Sequence, residues 1–143
     1  MLQQIYPSVA HDYAYELNKD MHFAAAHYIP HDDAGKCRRV HGHTYFANVT
    51  IAGDELDGSG FLVNFATVKK LIHERFDHRT VNEDELFDDA DPDRYPTTEI
   101  MARTIWELVQ AHLDAQSNKP RCLQVFLRET PSSYVVYRPK TVR

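Results

Sequence analysis

Residues 43–52, HTYFANVTIA, put Tyr45, Ala47, Val49 and Ile51 on one face of an extended chain and Thr44, Phe46, Asn48 and Thr50 on the other. Side chains along a strand alternate between faces, so this period of two reads as a strand with one buried side. Such a strand cannot stand alone. It needs neighbours to pair its backbone and a layer to cover its apolar face. Residues 13–26, rich in aromatic and small side chains, read as a preceding strand that runs out at His27. The segment GDELDGSG at 53–60 is a turn or loop. Near the other end, CLQVFLRE at 122–129 and YVVYR at 134–138 read as two more strands joined by a turn.

Between the strand pairs lie two helical patterns. In NFATVKKLIHERF, residues 64–76, Phe65, Val68, Leu71, Ile72 and Phe76 recur at helical spacing and Asn64 is a suitable N-cap. A second helix is predicted to begin after Pro96 and run to about residue 115, with the stripe Met101, Ile105, Leu108, Val109 and His112 or Leu113. The order strand, strand, helix, helix, strand, strand predicts an α+β fold, a four-stranded antiparallel sheet (ββααββ) with two helices on one face. No linker or repeat divides residues 1–143, so a single domain is expected. The open sheet edges must be covered, blunted or paired. Pairing between subunits closes such sheets into a barrel, so an oligomer is expected.

Composition narrows the function classes. A net charge of −5 gives no electrostatic footprint for nucleic acid or an anionic membrane. No apolar run approaches the length of a membrane span, and the N-terminus lacks the pattern of a signal peptide. A cytoplasmic location and reduced thiols are therefore expected for Cys37 and Cys122. The unusual count is nine histidines, of which His22, His27, His31, His41 and His43 crowd one short stretch.

His41 and His43 are two apart and share a face of extended backbone. If the first two strands form a hairpin, His27 can approach them. Three neutral imidazoles leave a tetrahedral zinc with one open position. Histidines also serve as surface or hydrogen-bonded core residues, and spacing alone leaves both readings open. His22 is five residues from His27 and falls on the opposite face. Cys37 sits among Lys36, Arg38 and Arg39 in a glycine-containing loop, a setting that suits a reactive thiol, whereas Cys122 lies in an apolar strand and reads as packing. Asp77-His78 follows the first helix, where a carboxylate can orient an adjacent imidazole as an acid/base pair or can simply end the helix. Glu129 shares a strand face with Leu123, Val125 and Leu127. It can accept two N–H groups of a guanidine-like ligand edge, or pair with Arg128 or solvent. Thr97, Thr98 and Glu99 begin the second helix, as caps or ligand contacts.

Taken in order, FAAAH, the CRRVHGH segment, FDHRTVNE, PTTE and ETPSSY resemble the 6-pyruvoyltetrahydropterin synthase superfamily from about residue 13 to residue 138. The short spacing from Cys37 to His41 is similar to its bacterial branch, the 6-carboxytetrahydropterin synthases of queuosine biosynthesis. The resemblance implies the tunnelling fold and an oligomeric β-barrel, usually a homo-hexamer. It implies zinc (Zn2+) on His27, His41 and His43, a catalytic set of Cys37, Asp77 and His78, and a pterin anchored by Glu129 with Thr97, Thr98 and Glu99 nearby. The implied substrate is 7,8-dihydroneopterin triphosphate, whose anionic tail is expected near Arg38 and Arg39. The same zinc and substrate also serve the pyruvoyl-forming reaction, and a non-catalytic pterin-binding role remains a third reading. One departure is Asn64, where the family usually shows aspartate; both cap helices.

Overall fold

The computed structural model describes residues 5–140. In chain order its elements are β1 (Tyr15–His27), β2 (His41–Gly53), α1 (Phe65–Phe76), β3 (Arg79–Thr80), α2 (Thr98–Asp114), β4 (Arg121–Thr130) and β5 (Ser133–Tyr137), with 3-10 segments at Asp32–Arg38, Val81–Glu83 and Pro92–Arg94. The alternating segment is the heart of β2. It pairs antiparallel with β1 along 13 residues, from Tyr15 opposite Gly53 to His27 opposite His41.

The sheet corrects the expectation of four antiparallel strands. It has five, in the order β3-β1-β2-β4-β5, and is mixed because β3 runs parallel to β1. Two residues are too few to show a period. What holds them is the chain leaving α1, which is fastened to the β1 edge. The His78 N–H donates to the Ala24 carbonyl (2.6 Å), and the Ala24 N–H donates to Asp77 Oδ1 (2.9 Å).

Both helices cover one face of the sheet. Phe23, Tyr45, Val49, Ile51, Val125 and Leu127 are buried there with Val68, Ile72 and Phe76 of α1 and Met101, Ile105, Val109 and Leu113 of α2. Burial selects Leu113 over His112 for the last turn of the α2 stripe. Phe65, grouped with the α1 stripe in the sequence, is instead half exposed beneath the Lys19 ammonium, 5.0 Å from its ring centre. A register shift between β2 and β4 after Thr50 sets Cys122 opposite Ile51. Cys122 thereby takes the core position that strict alternation gave to Leu123, and burial pushes its thiol up to about 12. Beyond the bulge, Glu129 keeps the face of Val125 and Leu127.

The other sheet face is polar but satisfied. Thr50 donates to Asn18 (2.8 Å), Asn48 to Asp20 (2.9 Å), and Gln124 to the Pro7 carbonyl (2.8 Å). Among the described residues no helix is long and apolar enough to cross a membrane.

Asn64 accepts from the N–H groups of Ala66 (3.0 Å) and Thr67 (3.4 Å), capping α1 as the sequence indicated. Asn64→Ala should destabilise the protein by about 1 kcal/mol in urea unfolding, and Asn64→Asp should be close to neutral.

Candidate metal centre and acid/base pair

The end of the β1–β2 ladder gathers three imidazoles. His27 faces His41 directly across the ladder and Ala25 faces His43, so all three histidines project on the helix-covered side. Their ring centres are 4.5, 5.2 and 4.9 Å apart. Glu129, from the end of β4, completes a group in which one ligand atom per residue lies within 4.8 Å of every other. The edge of a tetrahedral zinc–nitrogen site is about 3.3 Å, so a small contraction brings the imidazoles onto an ion. Gly42 does not bend β2, and a Cβ there would meet only Ala25 O at 3.7 Å, an ordinary contact.

Backbone carbonyls set the rings. His27 Nδ1 is 2.7 Å from Pro96 O, and His41 Nδ1 is 2.7 Å from Arg39 O. A carbonyl only accepts, so both Nδ1 atoms carry the hydrogen and both Nε2 atoms keep a lone pair for a metal. His43 Nε2 is buried without a hydrogen-bond partner; Glu129 Oε1 is 2.8 Å away but out of line. An orphaned, inward-facing nitrogen beside two others held in the ligating tautomer fits a bound cation. Burial also lowers the proton affinity of His43, which keeps it available as a ligand.

Glu129 meets His27 Nε2 at 3.4 Å and accepts from the Thr98 hydroxyl. Arg128, the partner that the sequence offered it, is turned away to the Pro131 carbonyl and the rings of Phe126 and Tyr134. Thr97 caps α2 by accepting from the Ile100 N–H (3.1 Å), while Glu99 is exposed and outside the cluster. Tyr45 went unnoticed as a site residue because its place in the alternation explains it as core. Its hydroxyl lies 3.3 Å from His27 Nε2. The Pro96 and Arg39 carbonyls are backbone atoms with no sequence signal.

Asp77 and His78 form a second cluster. Asp77 Oδ2 accepts from His78 Nδ1 at 2.7 Å. The Ala24 N–H first, and His78 second, hold the Asp77 carboxyl below its usual range. His78 is exposed and has φ 58°, a left-handed conformation that β1 imposes through Ala24. Its ring borders the same depression as His43. Cys37 is exposed in the 3-10 segment Asp32–Arg38, and among the described residues its thiol has no hydrogen bond to either cluster. Arg38 lies 3.5 Å from Asp32 on the surface.

The family model for 6-pyruvoyl tetrahydropterin synthase matches residues 16–140. The chain belongs to that family. It is 61% identical over 140 residues to the 6-carboxy-5,6,7,8-tetrahydropterin synthase of Bacillus subtilis, covering 98% of this chain and 96% of that protein. It is 31% identical over 111 residues to the 6-pyruvoyl tetrahydrobiopterin synthase of Drosophila melanogaster, covering 73% of this chain and 62% of that one. In fold it is similar to Caenorhabditis elegans 6-pyruvoyl tetrahydropterin synthase, with a TM-score of 0.67 at 24% identity over 88% of this chain and 96% of the other.

The candidate metal-binding group makes this family member sensitive to acid through Glu129. Contact with His27, then the Thr98 hydroxyl, brings the Glu129 carboxyl down from 4.5 to about 2 in the metal-free chain. A carboxyl depressed by folding stabilises the native state above its unfolded value, and that contribution is lost as pH falls through the folded one. Stripped of metal, the wild type should therefore lose stability between about pH 4.5 and pH 2. Glu129→Gln should lack that component in acid-unfolding curves. His41→Ala should lose bound metal in elemental analysis while remaining folded by circular dichroism.

Proposed function

We propose that the chain is a zinc-dependent lyase of queuosine (7-deazaguanine) biosynthesis. It converts 7,8-dihydroneopterin triphosphate and one water to 6-carboxy-5,6,7,8-tetrahydropterin, acetaldehyde and triphosphate. The near-full-length likeness to the Bacillus subtilis 6-carboxy-5,6,7,8-tetrahydropterin synthase carries this reading, and the three-imidazole cluster supports it.

His27, His41 and His43 would hold a zinc ion, which would supply Lewis-acid chemistry for acidifying the hydroxyls of the substrate side chain and the neighbouring C–H. The other roles belong to side chains. Glu129, fixed by Thr98, accepts the N–H edge of the pterin in bidentate fashion and so sets which carbon faces the base. Thr97 and Glu99 flank Thr98 at the start of α2. Cys37 takes the proton, and His78, oriented by Asp77, moves a second one. Cys37 and His78 share no hydrogen bond or ion pair among the described residues, so in this reading they meet through substrate or across a subunit boundary. We read 1–143 as one cytoplasmic tunnelling-fold domain in a homo-hexamer whose barrel forms between subunits.

Incubation of the pure protein with 7,8-dihydroneopterin triphosphate tests the reaction. Mass spectrometry should find the 6-carboxy product with acetaldehyde; a pyruvoyl product would reassign the chain to the other branch. Cys37→Ala should keep its zinc and lose turnover by about 10²-fold or more. Glu129→Ala should act mainly on KM. Light scattering should return six subunits, and a clean monomer would remove the barrel.

A further inference from the structure

The β1–β2 ladder ends where His27 faces His41, and the parallel β1–β3 pairing ends where Ala26 faces Thr80. Tyr28 and Asn82 each lie two residues beyond that last parallel pair. The main chain at Asn82 has already turned into the 3-10 segment Val81–Glu83, and its side chain takes over the pairing. Asn82 Oδ1 accepts from the Tyr28 N–H (3.0 Å), and Asn82 Nδ2 donates to the Tyr28 carbonyl (2.8 Å). Nδ2 also donates to Asp89 Oδ1 (3.0 Å), and Asp89 Oδ2 accepts from the Tyr28 hydroxyl. A primary amide offers one carbonyl oxygen and two N–H groups, and all of them are used. An aspartate of the same shape would set an oxygen against the Tyr28 carbonyl and a second negative charge against Asp89.

Tyr28 lies between two residues that frame the candidate site. Before it is His27, whose Nδ1 is 2.7 Å from the Pro96 carbonyl. After it is Ile29, whose N–H donates to the Cys37 carbonyl (2.7 Å). Asp89 belongs to the segment that leads to Pro96. We propose that Asn82 is a positioning residue: by gripping both main-chain groups of Tyr28, it holds His27 in its ligating place and, through Ile29, ties the Cys37 segment to the same strand end. This rests on the reading of His27 as a zinc ligand and of Cys37 as the base. Asn82 acts through the main chain, since its own side chain is satisfied by Tyr28 and Asp89.

A strand end that loses its partners opens locally while the rest of the fold stays closed. Apparent metal affinity then falls with the fraction of time that His27 is in place, so a competent fraction of about one-tenth raises the zinc Kd about tenfold. Groups that orient a ligand without touching the metal are worth about 10–100-fold in metal affinity. A loss of stability elsewhere has no such effect on a folded chain. Asn64→Ala, which removes the cap of α1, is the control for it.

Zinc affinity of the purified protein, measured by competition with a chromogenic chelator, tests the proposal. Asn82→Ala should raise the zinc Kd about tenfold or more, and so should Asn82→Asp, which keeps the shape of the side chain. Asn64→Ala should stay within about twofold of the wild type. Hydrogen–deuterium exchange of the metal-free proteins, resolved to single amides by mass spectrometry, gives an arm independent of zinc. The informative amide is Ile29, which is bonded to Cys37 rather than to Asn82. It should exchange about tenfold faster in Asn82→Ala and keep its wild-type rate in Asn64→Ala. A zinc Kd within about twofold of wild type in both Asn82 variants overturns the proposal, as does an unchanged Ile29 amide. A loss of zinc that Asn64→Ala matches also overturns it, because general destabilisation would then suffice. Should the wild type bind no zinc, the metal centre fails, and the Ile29 amide still decides whether Asn82 holds the strand end.

Discussion

The register of β1 against β2 is the constraint on which the site depends. It sets His27 across from His41 at one end of a 13-residue ladder. A slip of one residue would move every β1 side chain to the other face and leave His27 pointing away from its partners. The register is held by what the two strands bury. Phe23 stacks on Tyr45 with ring centres 5.1 Å apart, and both are fully buried beneath the helices. Such a core tolerates no polar register, so hydrophobic burial fixes where the histidines fall along the ladder. The site is the point where the apolar ladder runs out into imidazoles.

Polar groups at the edge of a core need partners, and here the backbone provides them. The Pro96 carbonyl before α2 and the Arg39 carbonyl before β2 orient His27 and His41, so each ring is set by a segment at the start of an element. The chain after α1 is fastened to β1 in the same manner through Ala24. One strand therefore positions both clusters: its last residue is a candidate metal ligand, and three residues earlier its backbone holds the Asp77–His78 pair. The two carboxylates differ in task. Glu129 answers to the imidazole group and Thr98, while Asp77 answers to the β1 backbone and His78.

Much of this is legible in the sequence. The period of two in residues 43–52 gives β2, and the helical spacing of Val68, Ile72 and Phe76 gives α1. The His-Gly-His doublet gives a shared strand face. Each is a repeating pattern tied to backbone geometry. What the sequence conceals is not periodic. β3 is a two-residue contact made by Asp77 and His78 rather than by a strand propensity. The bulge that trades Leu123 for Cys122 is a single extra residue. Tyr45 reads as core and is also a neighbour of His27. Asn82 reads as one polar residue in an acidic loop, and only the fold sets its amide against the main chain of Tyr28.

The proposed centre requires three imidazoles, and no thiol, on the metal. X-ray absorption at the zinc edge of the purified protein tests this directly. It should show three imidazole nitrogens at about 2.0–2.1 Å with an oxygen ligand completing the shell. A sulfur scatterer at about 2.3 Å would place Cys37 on the ion and contradict the separation of ligand from base, and a shell without imidazole would contradict the site itself.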